Sequence, residues 1–195
     1  MNSELEFALI NYVFDPENAE KNWDIAVIYD SIGQTAAAVG FYLRTVERTD
    51  NKLLQYEALM KAAICFMKQG TRGLSVRGLL SAAITVLPLR PEAHFLMARW
   101  WEREKNPVPE GWVNCYTQAS MALQICQFDN LPPLRTDVEY PGKYGLIFEK
   151  AVSGWWVGRC EEAKDNFVDL YNNHVLDYPH MTSVVNNLKF LKVLK

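Results

Sequence analysis

The feature that most constrains this chain is a repeat. The stretches "IYDSIGQTAAAVGFY" around Gly33 and "CFMKQGTRGLSVRGLL" around Gly70 set two glycines 37 residues apart, each between two segments of helical apolar period. Before Gly33, Ile25, Ala26 and Tyr29 form one stripe; after it, Ala38, Tyr42 and Thr45 or Val46 form another. A glycine there ends the first helix, because it takes a left-handed C-cap conformation without strain. The second unit places Leu59, Ala62, Ala63 and Phe66 before Gly70 and Leu79, Ala82 and Ala83 after it, closing at Pro88. Small residues recur where the helices would cross.

Two more units follow. The third opens at "RPEAHFLMARWWE", with Pro91 preset for a first helical turn. It returns as "EGWVNCYTQASMALQIC", where Trp112, Cys115, Ala119 and Ala122 share a face. Its proline-rich connection, "KNPVPEG", predicts an open loop. In the fourth, "LIFEKAVSGWWVGRCEEAKDNFVDLY", Ala151 precedes Gly158 at the turn, and Ala163, Phe167 and Leu170 follow. The units fall near 19–52, 53–90, 91–127 and 142–173. Between the last two, "FDNLPPLRTDVEYPGKYG" holds three prolines and two glycines, so 128–141 reads as a loop. Residues 1–18, with Leu5, Leu9, Tyr12 and Val13, read as a segment packing on the first unit. Residues 174–195 read as a C-terminal capping helix with Thr182 or Ser183 as its N-cap.

The bulk numbers fit this all-α reading. A chain of 195 residues, 49% hydrophobic and 22% charged, can bury a core. Its net charge of -3 comes from scattered residues, which speaks against a nucleic acid or an anionic membrane as partner. No apolar run approaches the roughly 18 to 20 residues of a membrane span, and "MNSELEFALINYVFDPEN" has acids where a signal peptide has a basic region. The expected location is the cytoplasm. Cys65, Cys115, Cys126 and Cys160 are 50, 11 and 34 residues apart, which matches no zinc or redox spacing, so free buried thiols are expected.

Residues that could carry chemistry are few. Asp137 and Glu139 in "RTDVEYPGK" are the pair weighed as a metal or sugar-nucleotide site, with a polar loop on the repeat surface as the simpler reading. His174, Asp177 and His180 could ring a metal, but a proline interrupts any helical register between them. His94, near Glu92, reads as a surface or groove residue rather than a base. "QGTRGLSVRG" offers Arg72 and Arg77 to an anion, with helix-turn arginines as the simpler reading. No nucleophile elbow, phosphate loop or dinucleotide fingerprint occurs, and no Asp-x-Asp motif of a sugar-nucleotide site. The expectation is no catalytic residue, no metal and no cofactor.

The repeating pattern resembles the tetratricopeptide repeat. Ala26, Tyr29, Gly33, Ala38 and Tyr42 match it in the first unit, and Ala63, Phe66, Gly70 and Pro88 in the second. Ala98, Trp101, Ala119 and Ala122 match in the third, and Ala151, Gly158, Ala163 and Phe167 in the fourth. Asp50 stands where the family prefers proline, Cys115 replaces an alanine, and Gly154 an aromatic. The phrases "FDPENAEKNWDIAVIYDSIGQTAAAVGFYLRTVERT", "LPLRPEAHFLMARWWE" and "LRTDVEYPGKYGLIFEKAVSGWW" are similar to the repeat region attached to family 2 glycosyltransferases of phage, viral and bacterial multi-domain proteins. The resemblance implies a right-handed α-solenoid of about four helix–turn–helix repeats over residues 19–173, closed by the C-terminal helix. It also implies that the repeats accompany the sugar-transferring domain and do not perform the transfer.

In such solenoids the first helix of each unit lines the concave face. That places Trp23, Val27 and Asp30, then Met60, Ile64 and Met67, then Phe95, Arg99, Glu102 and Arg103, then Phe148, Val152, Trp155 and Trp156 in a binding groove. Aromatics, Met and Arg carry interface energy, so a protein or peptide partner fits. The alternative, that part of this stripe is core between repeats, stays open. The expected role is therefore a non-enzymatic protein–protein interaction module, a scaffold or adaptor associated with a glycosyltransferase and encoded by a phage. The alternatives are a structural subunit of a larger virion assembly, which would self-associate, and an accessory part of a sugar transferase.

Overall fold

The computed structural model describes residues 3–70, 72–103 and 110–194. The proline-rich connection expected after the third unit's first helix falls at 104–109, outside the described residues. Ten helices and no strand occur among those described. The chain divides into two compact units, Met1–Pro88 with Pro132–Val138, and Leu89–Leu131 with Glu139–Lys195.

The first unit contains α1 (Ser3–Val13), α2 (Ala19–Ser31), α3 (Thr35–Arg48), α4 (Lys52–Gln69) and α5 (Gly73–Val86). Each helix from α2 onward packs on its neighbours in the chain. Asparagines start two of them: the Asn18 Oδ1 accepts from the Glu20 and Lys21 N–H groups, and the Asn51 Oδ1 from those of Leu53 and Leu54. Glycines stop them, with Gly33 and Gly70 both in the left-handed region at φ near +80°. Trp23, Ala26, Ala38, Tyr42, Leu54, Ala58, Ala62 and Cys65 form one core. The alanines let the helix axes approach while Trp23 and Tyr42 meet edge to face at 5.4 Å. In α5 the buried stripe is Val76, Leu80 and Ala83, rotated from the Leu79, Ala82 and Ala83 face expected from sequence.

The N-terminal helix touches α2 through a partly covered face. None of its residues is buried, and Phe7, Ile10 and Val13 are exposed. Leu5, Leu9 and Tyr12 are half-buried. Tyr12 makes a specific anchor, edge-on to Phe41 at 5.5 Å with its hydroxyl accepting from Arg44 at 2.8 Å.

The second unit contains α6 (Pro91–Arg103), α7 (Glu110–Ile125), α8 (Lys143–Trp156), α9 (Cys160–Asn173) and α10 (Tyr178–Phe190). Phe95, Ala98, Cys115, Ala119, Ala122 and Leu146 form one core between α6, α7 and α8. Ile147, Ala151, Phe167, Leu170, Val184 and Leu188 form a second, in which α10 covers α8 and α9. Gly158 turns α8 into α9 at φ +81°. The capping helix begins earlier than expected: its N-cap is Asp177, whose Oδ1 accepts the His180 N–H at 2.9 Å, with Pro179 in the first turn. Thr182 and Ser183 lie inside the helix.

Candidate functional site

The most specific polar construction in the first unit is built on α2 and α4. Glu20 sits in the first turn of α2, with Trp23 one turn later on the same face. Glu57 sits on α4 among Leu54, Tyr56, Ala58 and Leu59, and its side chain is wholly buried. A buried carboxylate needs donors, and here they come from the non-helical strap Pro132–Val138. The strap bends at Arg135 and Thr136, so that two consecutive N–H groups converge on Glu57, Arg135 N at 2.9 Å and Thr136 N at 2.6 Å. The Thr136 hydroxyl adds a third bond at 2.7 Å. The Arg135 guanidinium forms a fork with both Glu20 oxygens and lies 5.8 Å from the Trp23 ring. That pairing holds the Glu20 carboxyl below its ordinary range, whereas burial and then the Glu20 charge push the neighbouring Asp24 up. Val138 closes the strap as a buried apolar anchor.

At the other end of α2, Asp30 binds Lys61 at 3.0 Å and Lys68 at 2.7 Å. Burial pushes its carboxyl up, but the two lysine hydrogen bonds outweigh burial and hold it below the usual range. The Cys65 Sγ lies 3.6 Å from Asp30, and burial first, then that charge, push the thiol up to about 12. This thiol is structural in character: the thiolate that nucleophilic or metal chemistry requires is suppressed.

In the second unit the central charged residue is Glu149 on α8. It is buried, with the Arg99 guanidinium of α6 4.0 Å away and the Cys115 Sγ of α7 at 3.9 Å. Burial raises its carboxyl to about 7, the Glu102 charge adds to this, and Arg99 opposes it. Arg99 also reaches Glu139 at 4.0 Å. Near the α8–α9 turn, Trp112 and Trp156 stack at 5.6 Å, and Trp156 is 61% exposed. Glu162 there accepts from Tyr116 and Lys150, each at 2.7 Å, while Arg159 lies 5.2 Å from the Tyr116 ring.

The residues expected to line a groove therefore divide. Met60 and Phe95 are wholly buried, and Trp23 and Ile64 nearly so; these four are core in their respective units, as the alternative reading allowed. Val27, Asp30, Met67, Arg99, Glu102, Phe148, Val152 and Trp155 are half-buried, and Arg103 and Trp156 are exposed. Of the half-buried group, Asp30 is engaged by lysines, Phe148 packs on Phe167 and His180, and Trp155 meets Phe190 edge-on.

Several single expectations change. His94 is fully buried, not a surface or groove residue: it lies in the stretch of α6 from Pro91 to Ala98 that is buried throughout, and Gln118 on α7 reaches its Nδ1 at 2.6 Å. Asp177 and His180 serve the α10 cap, and His174 pairs with Asp169 at 3.2 Å. Among the described residues no three His, Cys, Asp or Glu side chains come together as a metal set. None of the four cysteines is in a disulfide, but Cys160 is exposed and Cys126 only half-buried. Glu57, Glu20 and Arg135 were not singled out from sequence. Glu57 had a signal: it falls three residues from Leu54 and from Met60, on the apolar period of its helix, where a solvated glutamate does not belong.

No family model matches this chain, and no curated protein matches its sequence. No described helix is long and apolar enough to cross a membrane.

Proposed function

We propose that this protein is a non-enzymatic interaction module whose helix pairs stack as tetratricopeptide-type repeats in a right-handed solenoid. The reading is supported by helix pairs turned on left-handed Gly33, Gly70 and Gly158, and by the alanines at their crossings. The observation that carries it is the strap: the first-helix face of α2 and α4 already holds a non-helical peptide segment through Glu57, Glu20 and Trp23. A face that holds one peptide by its backbone and one arginine has the chemistry of a peptide receptor. The sugar link is narrower. It rests on the likeness of residues 14–49, 87–102 and 134–156 to repeats that accompany phage, viral and bacterial glycosyltransferases, and makes this chain the scaffold or adaptor of such an enzyme.

Affinity capture with the purified chain, followed by mass spectrometry, tests this. An Arg99→Glu, Trp155→Ala variant serves as control for the half-buried face of the second unit. Recovery of one defined protein, a sugar transferase above all, and its loss with a variant that keeps its helicity, is the expected result. Recovery of coat or tail proteins would instead favour a virion subunit. That second reading has its own observation, the exposed Phe7, Ile10, Val13 and Phe14 around α1, which form apolar surface suited to a permanent contact. Self-association of the isolated chain in sedimentation would support it.

A further inference from the structure

The strap completes a site around an acid that it covers. Without it, Glu57 would lose the three donors its carboxylate has, and Glu20 and Asp24 would face each other without the arginine. Such a site needs an occupant that brings two adjacent N–H groups, a hydroxyl and a cation. The strap is not rigidly built into helices. It has no regular structure, and it is bracketed by Asn130 and Glu139, both in the left-handed region at φ 57° and 59°, a conformation that disfavours glutamate. Its side chains read as a motif. Arg135 clamps at the rim while Thr136 and Val138, two positions apart, are turned inward with Leu134 half-buried before them.

We propose that Pro132–Val138 is a built-in ligand occupying a peptide-recognition site on α2 and α4, and that the site's partner in trans is a protein segment of the form Leu-Arg-Thr/Ser-x-Val, which binds by displacing the strap. The inference rests on the interaction-module reading and names the partner's chemistry. Glu57 reads the hydroxyl and the bent backbone, and lysine in place of arginine would lose the fork on Glu20 and the face of Trp23. The strap thereby sets a threshold: only a segment that matches its own contacts, delivered at sufficient concentration, gains the site.

A fluorescent peptide of residues 130–140, NLPPLRTDVEY, tests this against the full chain by anisotropy. An Arg135→Ala, Thr136→Ala chain should bind it at least ten times more tightly than the native chain does. Adding Glu57→Gln should abolish that gain, and a peptide with the same two alanines should bind at least tenfold more weakly. No binding by the opened chain with helicity intact, or equal binding of the alanine peptide, would overturn the proposal and leave the strap a structural element. A dimer that the peptide dissociates would assign the occupant to a second copy's strap, and overturn the partner in trans. If the opened chain does not fold, hydrogen exchange of the native chain decides. The Arg135 and Thr136 amides should exchange through openings in which α2 and α4 stay protected; exchange only upon global unfolding would overturn the proposal. A partner captured equally well by Glu57→Gln would overturn this site while leaving the module reading in place.

Discussion

Thr136 binds Glu57 twice, through its backbone N–H at 2.6 Å and its hydroxyl at 2.7 Å, both to the same carboxylate oxygen and across 79 positions of sequence. The bond pair makes a buried acid on α4 depend on a loop that follows α7. It is the sharpest case here of a side chain whose role lies outside its own helix.

Glu57→Ala should therefore cost more than a surface change. It removes three hydrogen bonds to a charged acceptor and leaves Arg135 N and Thr136 N without their partner, for a loss of about 2 to 3 kcal/mol. Thr136→Val removes only the hydroxyl bond and should cost about 1 kcal/mol. Urea unfolding of the two variants checks the order; a milder Glu57→Ala would mean that the strap contributes little to the fold.

Stability should fall as pH rises through neutrality. Folding raises the Glu149 carboxyl from 4.5 to about 7, so its neutral form is favoured in the fold. This contribution is complete below pH 4.5 and is lost as pH climbs through 7, on the order of 3 kcal/mol in all. The depressed acids, Asp30 and Asp177 among them, act in the opposite sense, losing their contribution only as pH falls through and below the ordinary carboxylate range. The second unit should thus melt higher at pH 5.5 than at pH 8, and Glu149→Gln should flatten that difference. An unchanged pH profile in the variant would assign the effect to another group.

Two glycines should respond oppositely to alanine. Gly70 has φ +79° and open space around a would-be Cβ, so Gly70→Ala costs only backbone strain, about 1 to 2 kcal/mol. Gly40 lies inside α3, equally open but with helical φ, so Gly40→Ala should stabilise by about 0.5 to 1 kcal/mol. Thermal unfolding of both variants measures the contrast directly.

Ala38→Trp should damage the first unit. Ala38 is wholly buried in the core with Trp23, Tyr42 and Ala58, where no space exists for an indole. Overpacking there should cost about 1 to 3 kcal/mol or more, read as a lower urea midpoint. A neutral result would place Ala38 outside the helix crossing.

The helix pairs were legible because their causes are local. Gly33, Gly70 and Gly158 end helices through a backbone conformation that glycine takes without strain. Ala26, Ala38, Ala119 and Ala151 mark crossings through a 3.6-residue period that the chain displays without reference to anything distant. The start of α10 was misplaced by this same local reasoning: Asp177 and Thr182 are both competent caps, and the first with Pro179 behind it won. The candidate groove was legible only as a set of helix positions. Periodicity says which side chains share a face, but not whether that face meets a helix, a strap or solvent, so Met60 and Phe95 went to the core while Trp156 stayed outside.

By itself the sequence determined the helices, their turns and the small residues that let them approach, all properties of neighbours within a few residues of one another. Only the tertiary structure decided that His94 is buried against Gln118, that Glu149 is shut away beside Arg99, and that Glu57 takes its donors from Arg135 and Thr136. Each of these follows from desolvation, which depends on what covers a group and not on where it stands in the chain.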